Sequence, residues 1–164
     1  MLRFVLLIAC AAAFVWLTAL SMPDVVGSHF GASGTANGFM PRGTYIRFML
    51  AVVVGLPALL VAVSHVAMGS RTRINLPNRD YWLAPERRAE TVSYLRAHMV
   101  RFSVVLVVFL CYVHWLVVRA NRVQPPHLSN PAMISGLVVL VLYALVWTRV
   151  LVRHFSNRPL GRSG

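Results

Sequence analysis

The sequence predicts an all-α, polytopic membrane protein: four transmembrane helices in a bundle, with a cytoplasmic helical extension before the third. Four apolar runs of roughly twenty residues are each long enough to cross a hydrocarbon core of about 30 Å, since a helix rises about 1.5 Å per residue. Hydrophobic residues make up 58% of the 164 residues and charged residues 12%, which is too apolar for a soluble domain of this size. Most of the arginines lie beside the apolar runs, where they meet phosphate headgroups.

The first two spans are predicted at about residues 2–20 and 45–68. Gly55 and Pro57 lie in the middle of the second span and predict a kink there. The loop between the spans, residues 21–44, is rich in glycine and lacks hydrophobic periodicity. We therefore expect it to be irregular backbone outside the lipid.

The second half of the chain begins with residues 69–98, which carry six arginines and three acids and are too polar to enter lipid. A helix is predicted to open at Pro85, a favoured first-turn residue, and to continue into the third span at about residues 99–118. The fourth span is predicted at about residues 132–152. The whole chain, residues 1–164, is expected to form a single integral membrane domain.

The distribution of arginine predicts the orientation of the spans. With four spans, twelve arginines lie on one side of the membrane and four on the other. Cytoplasmic loops carry the excess of arginine in membrane proteins. Both termini and the loop at residues 69–98 are therefore expected in the cytoplasm, and the loop at residues 21–44 outside a bacterial inner membrane.

The spans lack the residues that most membrane chemistry needs. None of the four contains Asp or Glu, the groups that commonly bind cations or relay protons in transporters. Nucleophilic triads, phosphate loops and dinucleotide fingerprints are also missing. We expect a non-enzymatic protein without a cofactor. Nucleic acid is not an expected partner, because the arginines border membrane spans.

Histidines offer a weak candidate for a metal site on the outer side. Three imidazoles and one carboxylate are the ligand types that zinc or copper bind, although their spacing matches no compact motif. His114 lies within an apolar run and must find a polar partner there. The candidates are His29, His114, His127 and Asp24.

Small residues four apart recur in the spans, and such pairs let helix backbones approach closely. They predict a compact bundle, or equally a face for a partner subunit. The pairs are Ala9 with Ala13, Ala51 with Gly55, Ala58 with Ala62, and Ala132 with Gly136.

The loop at residues 69–98 contains a second candidate site, either an effector surface or a contact for anionic headgroups. Arginines beside a membrane require no more than lipid, so we favour headgroups at the cytoplasmic face. Its residues are Arg79, Asp80, Tyr81, Trp82, Arg87 and Arg88.

The outer loop reads PDVVGSHFGASGTANGF over residues 23–39. This stretch resembles the signature of the domain of unknown function 1648 family, the N-terminal domain of SdpI-type immunity proteins. The resemblance covers about residues 1–68, and Asn37 stands where the family often has an acidic residue. The matching positions are Pro23, His29, Phe30, Gly34, Gly38 and Phe39.

The resemblance implies a small bacterial inner-membrane protein whose relatives include immunity and signal-transducing proteins. It points to a sensing, immunity or accessory role, with another membrane protein or an extracytoplasmic peptide as partner. A transporter or channel component, or a metal-binding accessory subunit, is the alternative. The motif itself reads either as a binding surface or as a structural cap over the bundle.

Overall fold

A computed structural model describes residues 1–69 and 74–157. Four of its helices are long and apolar enough to cross a membrane, as predicted, so the chain is a multi-pass membrane protein. The elements are α1 (Leu2–Ala19), β1 (Val25–Phe30), β2 (Ala36–Pro41), α2 (Arg42–Gly69), α3 (Arg79–Trp82), α4 (Pro85–Ala120) and α5 (Asn130–Ser156).

Helix α4 is a single helix of 36 residues that opens with Pro85 in its first turn, as predicted. At about 1.5 Å per residue it is about 54 Å long, so about 24 Å of it extends beyond the hydrocarbon core. The extension lies at its N-terminal end, before the apolar run begins at Met99.

The prediction of irregular backbone between the first two spans is wrong, because residues 25–41 form an antiparallel hairpin. Val26 pairs with Met40, and Val26 is fully buried against the helices. Register shifts between Gly27 and Phe30 interrupt the two-residue repeat. Bulges and glycines thus hid the alternation by which a half-buried strand is recognised.

Helix α2 contains a π-helical turn at Ala51–Gly55, which ends two residues before Pro57. Proline has no N–H to donate to the carbonyl of Val53, and its ring crowds that turn. A π-helical turn is one of the ways in which a helix absorbs such a disruption. The irregularity predicted at Gly55 and Pro57 takes this form.

Three helices form the core of the bundle, and the fourth lies at its edge. Helices α1, α2 and α4 pack on one another around Val15, Val53 and Val107, which are at most 1% exposed. Helix α5 packs mainly on α4, and Phe155 is its one buried residue. The apolar faces of α5 are therefore left for lipid.

One of the four small-residue pairs lies at a helix contact. The Tyr112 ring of α4 lies against Gly136, and its hydroxyl donates a 2.7 Å hydrogen bond to the carbonyl of Ala132. The other pairs do not close the bundle, since Ala9, Ala13, Ala51, Gly55 and Ala62 are exposed.

Candidate functional site

The hairpin is fastened to the start of the α4–α5 connection by one buried asparagine. Asn121 Oδ1 accepts a 2.7 Å hydrogen bond from the Gly27 amide, and Asn121 Nδ2 donates to the carbonyls of Gly27 and Val117, both at 2.9 Å. The side chain therefore joins β1 to the last turns of α4. We call this end of the bundle the hairpin end, and the opposite end the termini end.

The rest of the connection runs along the turn of the hairpin. The Leu128 amide donates to the Gly34 carbonyl at 2.8 Å, and the Ala36 amide donates to the Pro126 carbonyl at 3.0 Å. Asn130 Nδ2 at the start of α5 donates to the carbonyl of Ala32 at 2.6 Å. The hairpin is thus held at both its base and its turn.

Replacing Asn121 with alanine is expected to cost about 2 kcal/mol of unfolding free energy, because it leaves buried backbone groups of Gly27 without partners. Asn121→Asp keeps the acceptor for the Gly27 amide but sets a carboxylate oxygen against the Gly27 carbonyl, so we expect a loss at least as large. Denaturant titration in detergent measures both. Asn37→Ala, on the exposed side of β2, is the control, and an equal loss there would contradict the assignment.

The motif glycines allow the hairpin to form. Gly34 has φ +86°, and a Cβ there would lie 2.5 Å from the Leu128 carbonyl oxygen. Gly38 pairs with His29 across the strands, and a Cβ on Gly38 would lie 2.9 Å from the His29 Cβ. Both glycines therefore have steric reasons to be there.

The remaining motif side chains are mostly exposed. His29, Asn37 and Phe39 lie on the exposed parts of the strands, and Pro23 is exposed just after α1. Phe39 is 56% exposed, which is high for a phenylalanine on a scaffold fixed at both ends. We call Asn37, Phe39 and the neighbouring Val25, which share one face of the hairpin, the hairpin surface; His29 lies on the opposite face, beside its partner Gly38.

An ion pair fixes the base of the hairpin. Arg42 Nη2 lies 2.9 Å from the Asp24 carboxylate, and Arg42 Nη1 donates to the carbonyl of Met22 at 2.7 Å. Asp24 is 90% exposed, so the pair contributes little to stability by itself. Its contribution is to orient the chain as it leaves α1 and enters α2.

A buried histidine joins the three core helices beneath the hairpin. His114 of α4 is 0% exposed. Its Nε2 lies 2.8 Å from Thr18 Oγ1 of α1, and its Nδ1 lies 2.9 Å from the Tyr45 hydroxyl of α2. The expectation that His114 finds polar partners within the apolar run is confirmed.

The direction of these hydrogen bonds follows from the donors available. Thr18 donates its one hydroxyl hydrogen to the Phe14 carbonyl, 2.6 Å away. Its hydroxyl oxygen can therefore only accept a hydrogen bond from His114. His114 Nε2–H therefore donates to Thr18, and Nδ1 accepts from Tyr45. A neutral imidazole satisfies every member of this chain.

The weak candidates for a metal site do not come together. Asp24 pairs with Arg42, His29 is exposed on β1, and His127 lies in the α4–α5 connection. Both ring nitrogens of His114 are occupied by hydroxyl groups. Within residues 1–69 and 74–157, no three His, Cys, Asp or Glu side chains are placed to hold one metal ion.

At the termini end, the predicted effector or headgroup residues have separate roles. Trp82 Nε1 donates to the Phe155 carbonyl at 2.9 Å, which fastens α3 to the end of α5. The Arg87 guanidinium lies 4.0 Å above the Tyr81 ring. Arg79 and Asp80 are exposed. Arg88, the last of the six, lines a cleft beside α2.

Sequence reasoning missed a column of stacked rings between α4 and α5. The His154 ring stacks on Tyr94 with centroids 4.0 Å apart, and His98 stacks on Trp147 at 4.4 Å. His98 and Trp147 also donate side-chain hydrogen bonds to each other's carbonyls. The sequence did contain a pattern that indicates this column, because rings recur every four residues on both helices. They are Tyr94, His98 and Phe102 on α4, and Tyr143 and Trp147 on α5.

Comparison with known proteins identifies the N-terminal part of the chain. No curated protein and no solved structure gives a match. Residues 5–61 match the model of a family described as "Domain of unknown function (DUF1648)", which confirms the resemblance predicted from the loop motif. The matched segment covers most of helix α1, the hairpin and most of α2.

Proposed function

We propose that the protein is a non-enzymatic component of the bacterial inner membrane that binds an extracytoplasmic peptide through its hairpin surface. One observation carries the proposal. Phe39 and Asn37, two side chains of the motif loop on one face of β2, stay exposed although the hairpin that holds them is fixed to the helices. Side chains presented on a rigid scaffold, with a large apolar group among them, are typical of recognition surfaces.

The chemistry of this surface suits a peptide. Val25 and Phe39 supply apolar area, since they are 61% and 56% exposed. The Asn37 amide supplies donors and an acceptor for hydrogen bonds with peptide groups. The excess of arginine towards the termini end favours a cytoplasmic location for both termini, so that the hairpin surface faces outward.

Photo-crosslinking in living cells tests the proposal. A benzophenone amino acid at Phe39 is expected to capture a secreted peptide, identified by mass. The control is the same probe at Phe48 of α2, which is 55% exposed but lies on a membrane-spanning helix and should capture lipid alone. Asn37→Ala, on the same face as Phe39, is expected to lower the Phe39 yield several-fold, and His29→Ala, on the opposite face, is expected to leave it unchanged.

Each alternative gives a different product. If the probe at Phe39 gave the same lipid adducts as the probe at Phe48, the hairpin surface would be an anchor rather than a binding site. A cytoplasmic protein captured at Phe39 would overturn the orientation. A Phe39 yield unchanged by Asn37→Ala would remove Asn37 from the proposed contact.

A further inference from the structure

A cleft of about 640 Å³ opens at the termini end, between the last turn of α2 and the first turns of α4. It lies about 30 Å or more from the hairpin surface, on the far side of the hydrocarbon core. The cleft is lined in part by His65 and Gly69 of α2 and by three polar side chains of α4, those of Arg88, Ser93 and Arg96.

The cleft is cationic. Two arginines line it, and none of the described residues that line it is Asp or Glu. Of the nearest acids on α4, Glu90 lines a different cavity together with Arg87, and Glu86 is exposed. The N-terminus of α4 begins at the same wall and adds the positive end of a helix dipole.

Arg96 is held in place at the cleft wall. Its Nη2 donates a 3.1 Å hydrogen bond to the carbonyl of His65, so the guanidinium spans from α4 to α2. Its Nε–H is buried and has no acceptor among the described residues. A guanidinium has five N–H donors, and this one keeps unused donors while its position is already fixed. Such preorganisation lowers the entropy cost of binding an anion.

The depth of the cleft selects the kind of anion. Arg96 precedes Met99, where the apolar run of α4 begins, by three residues, or about 4.5 Å along the helix. This is the depth of phospholipid headgroups, next to the hydrocarbon boundary. Phosphate oxygens match the planar fork of a guanidinium.

We infer that this cleft binds a phosphate group, presented as the headgroup of an anionic phospholipid. The inference is independent of the hairpin surface. It differs from a general attraction between surface arginines and the membrane, because it assigns the headgroup to a single cleft bounded by Arg88 and Arg96.

Native mass spectrometry of the detergent-purified chain, titrated with phosphatidylglycerol or phosphatidylcholine, tests the inference. We expect one phosphatidylglycerol to bind in preference to phosphatidylcholine, and Arg96→Gln to weaken it about tenfold, as expected for one lost charge-assisted hydrogen bond. Arg122→Gln, an exposed arginine at the hairpin end, is the matched control and should leave binding unchanged.

A second variant avoids the contact between Arg96 and α2. Ser93 is exposed within the cleft, so Ser93→Glu adds a negative charge there while Ser93→Gln adds the same bulk without charge. We expect Ser93→Glu to abolish the preference for phosphatidylglycerol and Ser93→Gln to retain it. A matching melting temperature for the two variants shows that both fold.

Competition with inorganic phosphate distinguishes a lipid headgroup from a free anion as the ligand of the cleft. If inorganic phosphate displaced the lipid and raised the melting temperature of the wild type but not of Ser93→Glu, the cleft would be a soluble-anion site, and the assignment to lipid would be wrong. Binding reduced equally by Arg96→Gln and Arg122→Gln, or by neither, would overturn the cleft as a phosphate site.

Discussion

Gly34→Ala is expected to lower the free energy of unfolding by about 3 kcal/mol and to release the hairpin from the α4–α5 connection. The native φ of +86° is strained for any residue with a Cβ. The added carbon would also lie 2.5 Å from the Leu128 carbonyl oxygen and 3.0 Å from the His127 ring. Both penalties fall where the turn meets the connection, so the hydrogen bond from Leu128 to Gly34 should break. Denaturant titration and proteolytic cleavage of the hairpin measure the effect.

Gly43→Ala is the matched control for Gly34→Ala. Gly43 lies in the first turns of α2, and a Cβ there would meet nothing within 4 Å. Alanine favours helix, so we expect this variant to be neutral or more stable by up to about 1 kcal/mol. Similar losses in the two variants would show that the turn geometry of Gly34 is not what holds the hairpin.

His114→Ala is expected to cost about 3 kcal/mol of unfolding free energy, because it opens a cavity and removes hydrogen bonds that join three helices. Tyr45 is only 2% exposed, and its hydroxyl would lose its hydrogen-bond acceptor, His114 Nδ1. Thr18 would be affected less, since it still donates to Phe14. Thermal unfolding in detergent micelles measures the change.

Two further variants identify the cause of the loss. His65→Ala removes an imidazole whose Nδ1 donates to the Val61 carbonyl of its own helix, so its cost should be below about 1 kcal/mol. Tyr45→Phe should cost about 1–2 kcal/mol alone and little more in the His114→Ala background. Full additivity of Tyr45→Phe and His114→Ala would mean that the two groups do not act as a pair.

The four spans could be predicted from the sequence because about twenty consecutive apolar residues are enough to cross a bilayer. Within lipid such a run must satisfy its own backbone hydrogen bonds, so it forms a helix whatever it packs against. The single helix from Pro85 through the third span was predicted from other signals, namely the proline at its start and apolar residues that recur at helical spacing into the span. Packing was less predictable. The small pair at Ala132 and Gly136 lies at a contact, but the equally regular pair at Ala9 and Ala13 does not. Spacing alone does not say which helix face meets a partner.

The candidate site was predicted only in part. The motif identified the residues of the hairpin, but its strands stayed hidden because Gly27, Gly31, Gly34 and Gly38 weaken every strand signal. Asn121 was missed altogether. Its side chain acts on Gly27, 94 residues away in the chain, and no local pattern reports such a contact. His114 was recognisable because an imidazole in an apolar run requires a partner, although the partners' identities came only from the structure.

The family match ends at Val61. The buried core that this segment helps to form also includes residues of α4. Val15 and Val53 are covered in part by α4, and the Tyr45 hydroxyl reaches its acceptor there. A fragment restricted to residues 5–61 would leave that hydroxyl facing hydrocarbon, which is costly. The matched segment therefore does not enclose this interior by itself, and α4 completes it.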